Sequence, residues 1–556
     1  MLRFFRRPGV PAGLVLAGSL ALYGATAMRS PGWLDACLIL SGAWEGRLGS
    51  YAVNHNLYNL VGHAWLALFR FLDPNVALGL LSALLGSLTV LLIYCAGREL
   101  TANRLASAIG AAGLAVSHSL WWHATAVEVY ALNTALVALV LFLVFRFFRA
   151  GGFGHLVVAY AAAGVGVFNH GLMALFLPAL VALALYLAAR RPGIGWGRCA
   201  LLALAYAVGC VPFAAVFLRD YASLAGGLLP FRADAFAATF VGATVTTSFG
   251  GFFFPVGLSV GQRLFWTGNY LFLLLWNFPS AALGLAGWGL AKLARNKERR
   301  GGFLFFVTAI VAQIVWSANY LIWEMYAFSL PVYLLLAVPL IVGVDALLAS
   351  GRRVLAVPVI ATLALPVLLY TGVAWQPGLH ALLSRYTSLF RETAYVSDLF
   401  DPARYVMNPA KPGYREAERY CTGLMSRLPP GSHLWDNDAR AVYPLQFYYQ
   451  ETLGRDLAFT LHPQYVVTVT PQSLRDEAGD MLRALREGSP VFVSTLGYPV
   501  RGVLDELWCR LDFAAPELEV ASLPLPEFRA RAPFTIEELP LDPDRAWVVH
   551  RIALKD

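Results

Sequence analysis

Long apolar segments separated by short polar loops are the feature that most restricts the fold of this chain. Each segment is close to the length, about 20 residues, that an α-helix needs to cross a hydrocarbon core of roughly 30 Å. The segments do not show the alternation of apolar and polar residues that is typical of an outer-membrane barrel. The sequence therefore predicts an α-helical polytopic membrane protein with about eleven transmembrane helices, at residues 10–28, 75–96, 104–120, 131–148, 155–172, 173–190, 200–218, 268–291, 303–322, 330–348 and 354–374.

The amino-acid composition changes near residue 375, where the apolar segments stop and Arg, Asp, Glu and Pro become common. We therefore expect a transmembrane domain over residues 1–374 and a soluble α/β domain over residues 375–556. In the second domain a helix begins at Pro471, with Thr470 as its cap, and ends near Gly488. The strand-like segments are GSHLWDND, DLAFTL, QYVVTVT and PVFVST.

The positions of Lys and Arg predict the orientation. Hydrophobic residues make up 58% of the chain and charged residues 14%, and the formal charge is +8. With a cytoplasmic N-terminus, most basic loops face the cytoplasm, as the positive-inside rule requires. We therefore expect a multi-pass protein of the inner (cytoplasmic) membrane with an extracytoplasmic C-terminal domain and no nucleic-acid partner. The cytoplasmic basic positions are Arg3, Arg6, Arg7, Arg98, Arg104, Arg146, Arg149, Arg190, Arg191, Arg198, Lys292 to Arg300, Arg352 and Arg353.

Three alternatives concern the ends of segments and the cysteines. Residues 56–72 also resemble a span, but His63 and Arg70 would then face lipid, so an interfacial helix on the outer surface is the better interpretation. Ala25-Thr26-Ala27 resembles a signal-peptidase site, although the preceding apolar segment is longer than the roughly 7–15 residues of a signal peptide. Cys421 and Cys509 could pair in an oxidising compartment.

Polar residues gather on the predicted outer face. Charge at the centre of a bilayer costs several kcal/mol, so their common side is informative. A cluster there suits chemistry between a lipid-borne substrate and a partner in the outer compartment. The members are Asp35, Glu45, Asn54, His55, His118, His123, Glu128, Asn169, His170, Asp220, Trp323 and Glu324.

Four of these residues also have a structural interpretation. Asp35 could cap a short helix, Glu45 could be a solvated loop carboxylate, and Glu128 could mark a helix start at the membrane interface. His170 could be a buried histidine that bonds a neighbouring carbonyl. The shared side of the membrane is therefore stronger support for a site than any single residue.

Several segments resemble the GT-C superfamily of polytopic glycosyltransferases, specifically its protein O-mannosyltransferase-like membrane family. The most specific is SHSLWWHATAVEVYALN at residues 117–133, which matches a family segment with the pattern S-x-x-x-W-x-x-x-x-x-x-E-V-Y-x-L-N. The first outer loop departs from the family, because Leu38 stands where members have a Glu three residues after the Asp. The other similar segments are DPNVALGLLSALLGSLTVLLIY, FNHGLMALFLPAL, YAFSLPVYLLLAVPL and REAERYCTGLMSRLPPGSHLWDNDARAVYPLQFYYQE.

The resemblance implies transfer of a sugar, with mannose as the candidate, from a polyprenyl-phosphate carrier to a hydroxyl on a protein, lipid or glycan acceptor, with inversion. Asp35 is the candidate general base. His55 and Arg219 are the candidates for binding the carrier phosphate. Glu128, His170 and Glu324 complete the predicted substrate-binding set. We predict no cofactor and no metal, although some GT-C enzymes use a divalent ion.

Two other function classes remain open at this stage. A transporter or flippase of a lipid-linked sugar would use the same pocket for binding alone. It would also be expected to carry paired polar or helix-breaking residues at mid-bilayer depth. A scaffold that binds partners through the C-terminal domain would leave the outer polar cluster without a role.

Overall fold

A computed structural model of the chain describes residues 10–33, 35–49, 55–191, 193–241, 258–296, 300–321, 325–373, 376–388, 403–464, 469–497, 499–512, 520, 522–542 and 547–555. The chain divides into two compact units. The first unit contains Met1–Met28, Gly42–Ser384 and Pro402–Pro412. The second contains Arg29–Ser41, Arg385–Asp401 and Gly413–Asp556. The predicted domain ranges, 1–374 and 375–556, stay a prediction.

The first unit is helical. Two helices cross its boundary, namely α2 (Asp35–Glu45) and α19 (Pro377–Ser388). The helices inside it are α1 (Val10–Thr26), α3 (Asn56–Leu68), α4 (Pro74–Thr101), α5 (Arg104–Ala115), α6 (His118–Thr125), α7 (Tyr130–Ala150), α8 (Phe153–Val167), α9 (Leu177–Arg190), α10 (Trp196–Ala225), α11 (Ala233–Val241), α12 (Val260–Asn277), α13 (Ala282–Arg295), α14 (Arg300–Asn319), α15 (Met325–Phe328), α16 (Leu330–Ala349), α17 (Arg353–Ala361) and α18 (Leu365–Val373).

Seven helical segments within the described ranges are long and apolar enough to cross a membrane, and a bent pair makes an eighth. A multi-pass helical membrane protein is therefore confirmed, while the predicted count of eleven is not. Three further predicted spans correspond to shorter apolar helices, α1, α5 and α8. The seven are Pro74–Thr101, Tyr130–Ala150, Gly171–Arg190, Trp196–Ala225, Arg300–Asn319, Leu330–Ala349 and Val354–Gly372.

The predicted span 268–291 is two helices instead of one. Helices α12 and α13 meet at an angle of 94°. The break follows from Pro279, because proline has no N–H to donate and disfavours helical geometry in the residue before it. The hydroxyl of Ser280 then accepts a hydrogen bond of 3.2 Å from the Ala282 N–H, next to the start of α13.

Helices α13 and α16 approach each other closely through glycine. A Cβ atom added to Gly289 would overlap the carbonyl oxygen of Pro339, and one added to Gly343 would overlap the carbonyl oxygen of Leu285. In a membrane, where lipid competes for apolar surface, small residues stabilise helix pairs by letting the backbones pack directly. The two glycines therefore determine the spacing of this pair.

The second unit contains a five-stranded sheet in the order β2-β1-β3-β5-β4. Strand β1 pairs in parallel with β2 and β3, and β5 pairs antiparallel with β3 and β4. Trp435, Met481, Leu507 and Phe528 lie in the buried core of this unit. The strands are β1 (His433–Asn437), β2 (Thr460–Gln464), β3 (Val491–Val493), β4 (Phe534–Asp542) and β5 (Trp547–Leu554). The helices are α20 (Glu416–Arg427), α21 (Pro471–Arg486), α22 (Val500–Leu511), α23 (Leu525–Arg531) and the π-helix Asp438–Thr452.

The sequence predicts this unit in part. Strands β1 and β3 lie within predicted segments, and α21 begins at Pro471 with a capping box formed by Thr470 and Ser473, as expected. Strand β2 begins four residues after the start of DLAFTL, and most of QYVVTVT lies outside the described residues. Strands β4 and β5 were not predicted.

Candidate active site

His55 and His170 lie face to face in the first unit. Their ring centroids are 5.2 Å apart and the ring planes differ by 15°. His55 directly precedes α3 and has a left-handed backbone with φ of 37°, a conformation that is strained for a residue with a Cβ. Such strain costs about 1–3 kcal/mol and tends to occur at functional sites. The fold thus brings together two predicted site residues that are far apart in sequence.

The two imidazoles carry their protons on different nitrogens. The Nδ1 of His55 lies 3.3 Å from the carbonyl oxygen of Asn169, which only accepts, so Nδ1 carries the proton and Nε2 has the lone pair. The Nδ1 of His170 accepts a 3.1 Å hydrogen bond from the Leu172 N–H, so its proton lies on Nε2. The pair therefore offers one acceptor and one donor.

Both rings are neutral at physiological pH. Burial lowers the pKa of His55 to about 4, against a small opposing effect of its bond to Asn169. Burial, and then the neighbouring His55, lowers the pKa of His170 well below its usual value. Neither imidazole therefore supplies a positive charge, and an anion placed here would meet N–H donors alone.

Tyr130 and His123 extend the histidine pair into a row. The Tyr130 ring is 5.0 Å from His170, and the His123 ring is 4.8 Å from Tyr130. The Nδ1 of His123 donates to the Ser119 carbonyl at 2.7 Å, which leaves its Nε2 as an acceptor. Burial lowers the pKa of His123 to about 4. Neither residue belonged to the predicted site, although both lie in the family-like segment 117–133.

Arg219 binds the loop that precedes α3. The guanidinium donates to the Leu48 carbonyl at 3.1 Å and to the Asp220 carboxylate at 2.7 Å. The same loop is held by Asn56, whose side chain bonds both the N–H and the carbonyl of Gly49 at 2.9 and 2.8 Å. The Arg219 side chain remains 57% exposed, so it keeps access to a ligand.

Glu128 is half-buried next to the start of α7. The pKa of Tyr58 in α3 is raised mainly by burial, and a hydrogen bond with the Ser82 hydroxyl opposes that effect. The negative charge of the Glu128 carboxylate raises the pKa of Tyr58 further. The carboxylate therefore lies close enough to α3 for its charge to act there. Its role in substrate binding stays a prediction.

Asp35 belongs to the second unit, whereas His55, Glu128, His170 and Arg219 belong to the first. It is the first residue of α2, and its side chain is exposed. The surrounding protein nevertheless removes part of its hydration, which raises the pKa of its carboxyl to about 6. A carboxylate with that pKa is suited to general-base catalysis near neutral pH. Glu324 lies outside the described residues.

His118 has a structural role. Its Nε2 donates to the Val406 carbonyl at 2.7 Å, and the neighbouring Trp122 donates to the Tyr405 carbonyl at 2.8 Å. These bonds join α6 to the short π-helix Ala403–Met407, which lies in the same unit. As for metals, the described part of the chain contains no group of three or more His, Cys, Asp or Glu arranged to hold an ion.

One family model matches the chain over residues 54–192: the protein O-mannosyl-transferase TMEM260 N-terminal domain. The matched segment is about a quarter of the 556 residues and includes His55, His123, Glu128, Tyr130 and His170. No curated protein matches the full sequence at a significant level.

Two solved structures of ArnT from Cupriavidus metallidurans share the fold. The form bound to undecaprenyl phosphate superposes with a TM-score of 0.55 at 16% identity and covers 97% of each chain. The apo form gives a TM-score of 0.52 at 15% identity with the same coverage. Residues 54–192 thus resemble the TMEM260 protein O-mannosyl-transferase N-terminal domain, and the chain as a whole shares the fold of ArnT.

Proposed function

We propose that this protein is an integral membrane glycosyltransferase that moves a sugar from a polyprenyl-phosphate carrier to a hydroxyl acceptor on the outer side of the membrane. The observation that carries the proposal is the His55–His170 pair, a neutral acceptor and donor in the segment that resembles TMEM260. The ArnT structure with bound undecaprenyl phosphate supports a carrier of this class. Mannose is the proposed sugar, because the matching family is named for it.

Asp35 is the proposed base. Its carboxylate takes the proton of the acceptor hydroxyl while the hydroxyl oxygen forms a bond to the anomeric carbon. The bond from that carbon to the carrier phosphate breaks on the opposite side, and its electron pair leaves with the phosphate. A single displacement of this kind inverts the anomeric centre and needs no nucleophilic carboxylate.

The leaving phosphate gains negative charge as the bond breaks. Donors aimed at that charge lower the barrier, because they interact more strongly with the transition state than with the bound donor. Arg219 supplies a positive charge that is accessible to ligand, and His170 supplies an N–H from Nε2. His55, with a lone pair on Nε2, suits a sugar hydroxyl better than a phosphate oxygen.

A transfer assay tests the proposal with purified protein in lipid nanodiscs and a radiolabelled undecaprenyl-phosphate sugar. We expect label to move to a hydroxyl acceptor and free undecaprenyl phosphate to appear. Asp35→Asn should abolish transfer without lowering thermal stability. Glu45→Gln, which changes an exposed carboxylate at the other end of α2, is the matched control and should transfer normally. Full activity of Asp35→Asn would remove Asp35 as the base.

The same assay separates transfer from transport. A transporter or flippase would move the labelled carrier across the bilayer with its sugar still attached and would release no free carrier phosphate. That result in proteoliposomes would overturn the transferase proposal.

A further inference from the structure

The second unit contains a cavity that the reaction described above does not use. Its volume is about 470 Å³, within the roughly 300–1,000 Å³ of typical small-molecule sites. Gln446, Gln450 and Glu451 line it from the π-helix Asp438–Thr452, and Leu461 and Pro463 line it from β2. All of these residues belong to the second unit.

The charge of the cavity excludes an anionic ligand such as the carrier phosphate. Glu451 contributes a carboxylate, and none of the lining residues that the structure describes is Lys or Arg. Two carboxamides and one carboxylate offer paired donors and acceptors on planar groups, which match adjacent hydroxyls. A neutral ligand rich in hydroxyls, that is, a saccharide, fits this set.

The backbone of β2 disfavours an extended peptide in the same place. The Thr460 N–H donates to the Ser432 carbonyl at 2.8 Å, toward β1, so the alternate residues Leu461 and Pro463 direct their backbone groups away from β1. Proline has no N–H, so a peptide added along this side would find one donor, at Leu461, in place of a continuous ladder.

A hydrogen bond connects the cavity to the helix of the proposed base. The Ser41 hydroxyl donates to Oε2 of Glu451 at 2.7 Å, and Gln446 donates to Oε1 of the same carboxylate at 3.2 Å. Ser41 follows Asp35 by six residues on α2, a rise of about 9 Å along the helix. A disaccharide bound in the cavity is long enough to cover that distance.

We infer that this cavity is the acceptor subsite and that it binds a neutral saccharide, one of whose hydroxyls reaches Asp35. The inference rests on the proposed function, because it names the acceptor of the same reaction. Gln446, Gln450 and Glu451 hold the saccharide, and the Ser41–Glu451 bond sets the position of α2 relative to it.

Binding is tested on the full-length protein in nanodiscs by saturation-transfer difference NMR, with mannobiose, maltose and cellobiose as probes and no donor present. We expect at least one disaccharide to give a signal that falls at least fivefold in Gln446→Ala and in Gln450→Ala. The matched control is Gln472→Ala, an exposed glutamine on α21, which should keep the signal.

Three results would overturn the inference: no disaccharide signal in the wild-type protein, a signal that survives both cavity variants, or a Ser/Thr peptide whose signal alone depends on Gln446 and Gln450. Thermal unfolding of both cavity variants, Gln446→Ala and Gln450→Ala, separates lost binding from misfolding. Because no donor is present, failure of the transferase proposal leaves this measurement intact. Conversely, transfer that persists without saccharide binding refutes the subsite alone.

Discussion

The stacked imidazoles of His55 and His170 differ chemically because different backbone groups hold their Nδ1 atoms. A carbonyl faces Nδ1 of His55 and an N–H faces Nδ1 of His170, so the free Nε2 is an acceptor in the first ring and a donor in the second. Burial keeps both rings neutral. Two identical side chains therefore offer opposite hydrogen-bonding groups to one ligand.

This difference predicts unequal effects of two amide substitutions at His170. A Gln side chain can place an N–H near the original Nε2, whereas an Asn side chain reaches only the position of Nδ1. We expect His170→Asn to lower kcat by about 10²-fold, the usual effect of losing one donor to a developing charge, and His170→Gln to lower it less. Steady-state kinetics with the lipid-linked donor measure both. Equal activity of the two variants and the wild-type protein would mean that the Nε2 proton of His170 does not act on the substrate.

The raised pKa of Asp35 predicts a specific pH profile. The carboxyl acts as a base only when it has lost its proton, and its pKa is about 6. Activity should therefore be constant above pH 6 and fall about tenfold per pH unit below it. The measurement is kcat/KM of the wild-type protein between pH 4.5 and 8. Glu45→Gln should show the same profile, and a wild-type profile that stays flat down to pH 4.5 would contradict the assignment.

At the scale of elements, the approach of α13 and α16 depends on backbone packing without intervening side chains. The pair Gly289 and Gly343 lies at the contact, whereas Gly287, on the same helix as Gly289, has open space around its Cα. The requirement for glycine is therefore a property of the helix pair and not of the helix sequence. Hydropathy alone does not distinguish Gly287 from Gly289.

Gly289→Ala and Gly287→Ala form a matched test of this contact. The new methyl group at position 289 meets the Pro339 carbonyl, so we expect a loss of about 1–3 kcal/mol in stability, as for other overpacked contacts. At position 287 the same change should be neutral or slightly stabilising, because Ala favours helix over Gly. Thermal unfolding in detergent compares them. The contact would be refuted if both variants melted at the same temperature.

The sequence of segment 117–133 predicts functional residues but does not show which residues they contact. Its composition predicts functional residues near Glu128, and the structure places Tyr130 beside His170 and His123 beside Tyr130. His123 is indicated in the sequence because it is a histidine in an otherwise apolar region. Tyr130 is indicated because it belongs to the Glu-Val-Tyr motif. Neither signal names the partner, because the ring contacts are made with His170, just after α8, and with Tyr326 and Phe328 of α15, which lie elsewhere in the sequence.

At the scale of the whole molecule, four histidines of the first unit make stability depend on pH. Burial lowers the pKa of His55 to about 4, of His118 to about 3 and of His123 to about 4, and lowers that of His170 as well. Below pH 6.5 the unfolded chain therefore binds protons that the folded chain does not, and stability falls until the folded values are reached. Asp35 and Asp505, whose carboxyl pKa values burial raises, act in the opposite sense, but they are two groups against these four histidines.

We therefore expect the thermal midpoint in detergent to drop between pH 7 and pH 4.5. His123→Asn, which keeps a donor for the Ser119 carbonyl, should make the drop smaller by removing one of the four groups. His63→Gln changes an exposed histidine and should leave the drop unchanged. An identical drop in the wild-type protein and in His123→Asn would contradict this account.

The sequence by itself determined that the chain is a helical membrane protein with α/β structure toward its C-terminus, because hydropathy over about 20 residues is a local property that one segment carries alone. It also pointed to His55, His170 and Arg219 through their predicted side of the membrane. Only the tertiary structure decided which rings stack, which nitrogen holds each proton, and that Asp35 groups with the second unit. Apart from the local bond between Leu172 and His170, those features depend on contacts between residues distant in sequence, and the geometry of such contacts is determined by packing.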